Sequence, residues 1–253
     1  MSSFWSWPSF YALVSVLIIS AVSLVGLLML CVDEARLREW VLFLVSLSVG
    51  AMFGDAFIHL LPEAFARTQS PLATSFYVLM GLFLFFVLEK FLRWRHQHLP
   101  LDEDCVQPLG YANLVADGIH NFVDGILIGA GFLVSIPIGV ATALAVLLHE
   151  IPQEISDFGV LLHAGFSRSQ AIALNFLSAT LAILGAVIAL VAGTRVTHLS
   201  EVMLPLAAGG FVYIAGCDLV PELHRESEVA DTLSQLVGIG IGVGLMFLLA
   251  LRG

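Results

Sequence analysis

Charge is scarce in this 253-residue chain. Only 12% of its residues are Asp, Glu, Lys or Arg, while 59% are hydrophobic. Water-soluble domains carry about 25% charged and 45–50% apolar residues, so the composition, with a mean hydropathy of +0.97, points to a polytopic membrane protein. Positive charge is scarcest. Ten Lys and Arg against twenty Asp and Glu leave a net charge of −10, which argues against nucleic acid as a partner. Cysteine is also sparse. Cys31, Cys105 and Cys217 are scattered without CxxC spacing, which excludes a thiolate cage of the structural-zinc type. The N-terminus lacks a basic region and a small-residue cleavage site, so no removed signal peptide is expected. Trp5, Trp7 and Tyr11 instead form an interfacial anchor for a first span.

What is abundant is long apolar runs. A span needs about 20 mainly apolar residues, and eight candidates lie near 10–32, 40–64, 72–92, 109–134, 137–163, 169–192, 202–223 and 233–251. Short connections leave no room for a soluble domain, so residues 1–253 form a single transmembrane domain. The longest connection is Arg93 to Pro108, where His96 and His98 are more simply read as solvated than as metal-capturing. The connections after spans one, three, five and seven carry seven basic residues against three on the other side. By the positive-inside rule both termini face away from the cytoplasm. His59-Leu60-Leu61-Pro62-Glu63 in span two echoes Asp218-Leu219-Val220-Pro221-Glu222 in span seven. These spans run in opposite directions, as an inverted repeat produces: one to three related to six to eight, with four and five between. The expected fold is an all-α membrane protein of eight helices in a 3+2+3 arrangement.

Spans four and five break the apolar pattern. They carry Asp117, His120, Asp124, His149, Glu150, Glu154 and Asp157, although an ionisable residue at a helix centre in hydrocarbon costs about 2.5–3.5 kcal/mol. Such groups must face one another, water or a bound ion. Residues three and four apart share a helix face, so Asp117, Asn121 and Asp124 form one stripe. Glu150, Glu154 and Asp157 form another, while His120 pairs with Asp124 and His149 with Gln153. Both histidines lie roughly 16–18 Å along their spans at ~1.5 Å per residue, near the middle of a ~30 Å hydrocarbon layer. Imidazole with carboxylate suits zinc, with iron, manganese, cobalt or cadmium also compatible. Without thiolates the hold is loose enough for a carrier. Pro152 frees the carbonyl of Leu148 beside this cluster, and Asp157 is read as structural. Asp55 and His59, four apart in span two, add ligands on the external side, and Asp218 lies toward the cytoplasmic end of span seven.

These residues resemble the ZIP family of zinc transporters, in its LIV-1-like branch. His120-Asn121-Phe122-Val123-Asp124-Gly125 resembles the span-four signature HNxxDG. His149-Glu150-Ile151-Pro152-Gln153-Glu154, continuing into Asp157-Phe158, resembles the span-five signature, and Gly54 to Pro62 is similar to the span-two motif. The resemblance covers all eight spans. It implies a two-metal site: His120, Asp124, His149 and Gln153 around one ion, completed by His59 with Asp55 near it. Asn121, Asp124, Glu150, Gln153 and Asp218 would surround the second, with Asp124 bridging. It also implies a homodimer, a 3+2+3 inverted-repeat bundle and metal movement into the cytoplasm by an elevator-like motion. Gln153 departs from the pattern, since many relatives carry His or Glu there and a neutral amide is the weaker ligand.

The expected function is therefore a divalent-metal transporter, with the metal as cargo and no resident cofactor, in a lipid bilayer. An intramembrane zinc metallohydrolase is the alternative, because His149-Glu150 begins an HExxH-like run, although Gln153 replaces the second histidine. A metal-gated channel or receptor is a third reading. The short loops suggest a bacterial inner membrane.

Overall fold

The structure, a computed structural model, describes residues 7–25, 34–68, 70–97, 107–193, 199–224 and 229–251. All regular structure among them is helical, in eight rods. Helix α1 is Trp7–Val22 with a tight turn at Ser23–Val25, and α2 runs Glu34–Gly54, through a π turn at Asp55–Leu60, into Leu61–Arg67. Then follow α3 (Pro71–Gln97), α4 (Gln107–Val134) and α5 (Ile136–His163). Rod α6 is Arg168–Ala179 and Leu181–Gly193, broken at Thr180. Rod α7 is Leu199–Tyr213, a second π turn at Ile214–Leu219, and Val220–Leu223, and α8 is Val229–Ala250. Seven rods hold a stretch long and apolar enough to cross a membrane; the apolar part of α3, Pro71–Val87, is shorter.

The helices correct two expectations. The connection expected from Arg93 to Pro108 is helical at both ends, because α3 continues to Gln97 and α4 starts at Gln107. Span six is not one smooth helix. Thr180 closes the first piece, its N–H reaching the Phe176 carbonyl while its hydroxyl donates to the Leu177 carbonyl. Trp5, Cys31, Cys105, His98 and the His96 side chain lie outside the described residues.

Helices α4 and α5 occupy the middle. Of the spanning stretch of α4, 61% is buried by protein, against 17% for α8, whose Leu233, Leu236, Val237, Ile241, Phe247 and Leu248 face outward. Such an apolar outer surface is what a membrane-spanning helix carries. Helix α5 packs against α4, α2 and α1, and α4 packs against α6. The α4–α6 contact is backbone on backbone. A Cβ added to Gly125 would stand 1.9 Å from the Ala182 carbonyl oxygen, and one on Gly185 2.0 Å from that of Phe122. Reciprocal glycine contacts of this kind also join α2 to α8 (Gly50 on Ile239, Gly242 on Leu47) and α3 to α7 (Gly81 on Leu206, Gly209 on Val78). Membrane helices gain no hydrophobic drive from one another, so close packing over small residues supplies the association.

The two π turns match in register. The Leu61 N–H bonds to the Ala56 carbonyl and the Val220 N–H to the Ala215 carbonyl, each five residues back. Pro62 and Pro221 follow at once, each lacking the N–H that a regular ladder requires. His59 and Asp218 take the fifth place of their respective turns.

Helix α5 is fixed at both ends. Ser135 caps its start, accepting from the Ile138 N–H at 3.3 Å. At its end Gly165 adopts φ +85°, and the Gly165 and Phe166 N–H groups return to the Leu162 and Leu161 carbonyls. This Schellman turn needs the left-handed conformation that glycine adopts without strain. Phe166 then packs on Leu161 and Phe158 and meets Tyr111 of α4 edge-on at 5.2 Å. Midway, Pro152 lies inside the helix. The Leu148 carbonyl it releases is met by the Ser48 hydroxyl of α2 at 2.6 Å, a hydroxyl also 2.7 Å from the Leu44 carbonyl.

Candidate metal centre

Antiparallel packing of α4 on α5 puts residues 120–124 level with 149–150. His120 and Asp124 project from one face of α4, and His149 and Glu150 come from α5 just ahead of Pro152. One ligand atom from each of the four lies within 4.8 Å of all the others. Nε2 of His120 is 3.2 Å from Nε2 of His149, 3.4 Å from Oδ2 of Asp124 and 3.8 Å from Oε1 of Glu150. Nε2 of His149 is 3.2 Å from the same aspartate oxygen and 3.6 Å from the same glutamate oxygen. Donors about 2.0–2.1 Å from a tetrahedral zinc stand about 3.3 Å from one another, so these are the edges of a zinc-sized polyhedron.

The imidazole of His149 is held in one tautomer. Its Nδ1 lies 3.1 Å from the Ala145 carbonyl, and a carbonyl can only accept, so Nδ1 carries the proton and Nε2 keeps its lone pair for the cluster. This backbone clamp is the outer-shell support common to metal-binding histidines. Phe211 of α7 packs edge-on against the same ring at 6.5 Å. Asp124, His149 and Glu150 are at most 1% exposed, whereas the His120 side chain keeps 16%. His120 is thus the least buried of the four. Two carboxylates and two neutral imidazoles would balance a divalent cation to zero net charge, which suits a low-dielectric interior.

Of the nine residues expected as ligands, the structure brings together His120, Asp124, His149 and Glu150. Asn121 is adjacent and fully buried; its amide donates to the Asp117 carboxylate at 2.8 Å and its Oδ1 has no donor. Gln153, expected between the histidines, lies against Asp117. Asp55 and His59 form their own buried pair in the π turn of α2, with 3.3 Å between Oδ1 and Nδ1. Asp218 sits half-buried in the π turn of α7, outside the four-ligand group.

Beyond the centre, toward the start of α4 and the end of α5, lies a second polar group. Ser178 of α6 donates to Asp117, Asn175 of α6 donates to Glu154, and Asn113 donates to Asp157 at 2.9 Å. The stripe pattern contained Asp117, Glu154 and Asp157. It gave no sign of Asn113, Asn175 or Ser178, since single Asn and Ser residues are ordinary in apolar spans.

Helical rods carrying a buried cluster of two imidazoles and two carboxylates mark a polytopic membrane protein with a candidate centre for a divalent cation. Residues 8–104 and 101–250 match the profile of the ZIP Zinc transporter family. The chain is 37% identical over 223 residues to zinc transporter ZIP13 of Pongo abelii, covering 82% of this chain and 66% of that protein. It is 32% identical over 268 residues to the Drosophila melanogaster ZIP13 homolog (80% and 75% covered) and 30% identical over 336 residues to zinc transporter SLC39A7 of Rattus norvegicus (95% and 72%). The chain belongs to the ZIP family, in the LIV-1-like branch that its motifs resemble. This is a family of transporters and not of enzymes, and the metallohydrolase alternative finds no support. The animal relatives also run against the bacterial inner membrane expected from short connections; loop length reports how helices are joined, not which membrane holds them.

Proposed function

We propose that this chain carries Zn2+ across a membrane toward the cytoplasm by alternating access around His120, Asp124, His149 and Glu150. The observation that carries the reading is the meeting of these four donors at zinc-sized separations inside an apolar bundle. Zinc sheds water, binds between α4 and α5, and leaves when those helices shift against their neighbours. Iron, manganese and cadmium fit the same donor set. A second ion position beside the first, sharing Asp124 and using Asn121, Glu150 and Gln153, draws support from Asn121 Oδ1, Asp124 Oδ1 and Glu150 Oε2, buried oxygens with no donor.

The bundle is read as eight spans in a 3+2+3 inverted repeat, with both termini outside the cytoplasm. The matched π turns support it, as does the packing of α2 on α8 against that of α7 on α3, since the repeat exchanges those pairs. Asp55 and His59 then line the external approach, and Asp218 the opposite end. The resemblance extends the proposal to a pair of chains.

Proteoliposomes loaded with a zinc-sensitive dye test this. Saturable zinc uptake is expected, abolished in Asp124→Ala. Uptake equal to that of protein-free vesicles, or uptake untouched by Asp124→Ala, rejects it.

A further inference from the structure

The acidic group beyond the zinc centre is arranged for more than gluing helices. Residues 107–163, all of α4 and α5, hold five carboxylates, Asp117, Asp124, Glu150, Glu154 and Asp157, and no Lys or Arg. Three of these, Asp117, Glu154 and Asp157, stand apart from the histidines. The donors that reach them are few. The Asn121 and Gln153 amides donate to Asp117, Asn113 to Asp157 and Asn175 to Glu154, and the Ser178 hydroxyl donates to Asp117. With those spent, Glu154 Oε1, Asp157 Oδ2, Asn121 Oδ1 and Asn175 Oδ1 remain buried without a donor. Glu154, Asn121 and Asn175 are 0% exposed.

Two of the leftover atoms are amide oxygens, which can only accept, and two are carboxyl oxygens, which need either a proton or a cation. Each Asn amide points its nitrogen at one of the carboxylates, and the paired Oδ1, bonded to the same carbon, stays in the same group. Asp157 in turn lies against Asp117. A buried acceptor without a donor is costly, and several converging carboxyls must hold either protons or a cation. Among the described residues no Lys or Arg is paired with them; Arg67 pairs with Glu63 and Arg168 is exposed.

We propose that Asp117, Glu154 and Asp157, with the Asn175 and Asn113 amides, form a separate all-oxygen station for a divalent cation between α4, α5 and the first half of α6. It lies one to two helical turns from the histidine centre, toward the α5–α6 connection. This rests on the transport reading above, under which that connection is cytoplasmic and the station receives the ion as it leaves the imidazoles. Oxygen-only donors favour hard cations such as Mn2+ and hold zinc more loosely than imidazole does. The ion therefore steps down in affinity on its way out.

The test uses the full chain in zwitterionic lipid nanodiscs with Mn2+ as paramagnetic probe. Wild type is expected to bind a Mn2+ coupled to imidazole nitrogen and a second with no nitrogen coupling that persists in Asp124→Ala, which removes the carboxylate shared by both positions of the histidine centre. His120→Ala/His149→Ala should remove the first and leave the second. Glu154→Gln/Asp157→Asn should weaken the second at least tenfold while the nitrogen-coupled ion persists, which also reports that this variant is folded. Absence of a nitrogen-free ion in wild type overturns the proposal, as does its survival within twofold in the Glu154→Gln/Asp157→Asn protein. Both ions bound without zinc uptake in proteoliposomes would sink the transport reading and leave the station standing. Uptake with the nitrogen-coupled ion alone would sink the station only.

Discussion

The Nε2 atoms of His120 and His149, carried on different helices, lie 3.2 Å apart in the middle of the bundle. Two imidazole lone pairs at that distance repel unless a proton or a cation sits between them. The Ala145 carbonyl accepts from Nδ1 of His149, so Nε2 is the nitrogen turned toward the cluster. His149→Ala is expected to weaken zinc binding by about 100-fold, the upper range for disrupting a metal site's support, and to remove uptake. Calorimetry of the purified variant checks this; unchanged affinity would mean the pair is structural.

Gln153, four residues after His149, hydrogen-bonds Asp117. Replacing its neutral amide by imidazole offers a stronger ligand one turn from His149. Gln153→His should bind zinc more tightly and release it more slowly, seen as lower Kd by calorimetry with reduced uptake rate. A variant with wild-type affinity would place this side chain outside the metal's path.

The Ser48 hydroxyl meets the Leu148 carbonyl that Pro152 leaves without its helical partner. Ser48→Ala removes the donor to a carbonyl two residues before Glu150 in chain order. The loss is expected to be about 1 kcal/mol of stability, typical of side-chain hydrogen bonds between membrane helices, lowering the unfolding temperature in nanodiscs. No change in melting would show that water or a neighbour satisfies the carbonyl.

Gly125 and Gly159 offer a matched comparison. A Cβ at Gly125 meets the Ala182 backbone at 1.9 Å, whereas one at Gly159 meets nothing within 4 Å. Gly125→Ala must push α4 and α6 apart and should destabilise by roughly 1–3 kcal/mol, as overpacking does; Gly159→Ala should be tolerated. Fluorescence-detected size exclusion after heating separates the two, and equal melting curves would remove the case for a tight α4–α6 contact.

The helices were legible because apolar length is a local property: the spans expected at 109–134 and 137–163 lie within two residues of α4 and α5 at each end. Ligand grouping was only partly so. The i, i+4 pair His120 and Asp124 follows from helix geometry. That Glu150 meets His149 and the α4 pair depends on how α5 is rotated against α4. The break at Thr180 was not legible, because it occurs inside a uniformly apolar run. Asn175 and Ser178 stayed hidden because their partners are 21 and 61 residues away in the chain.

By itself the sequence determined that this chain lives in a membrane and that carboxylates and imidazoles lie at mid-depth. Hydropathy and residue counting need no neighbour. Only the tertiary structure decided which four side chains meet as the candidate cation centre, which oxygens are left without donors, and which hydroxyl answers the carbonyl that Pro152 frees. Those outcomes depend on the rotation and spacing of helices packed backbone to backbone over paired glycines, and no property of a single span contains that information.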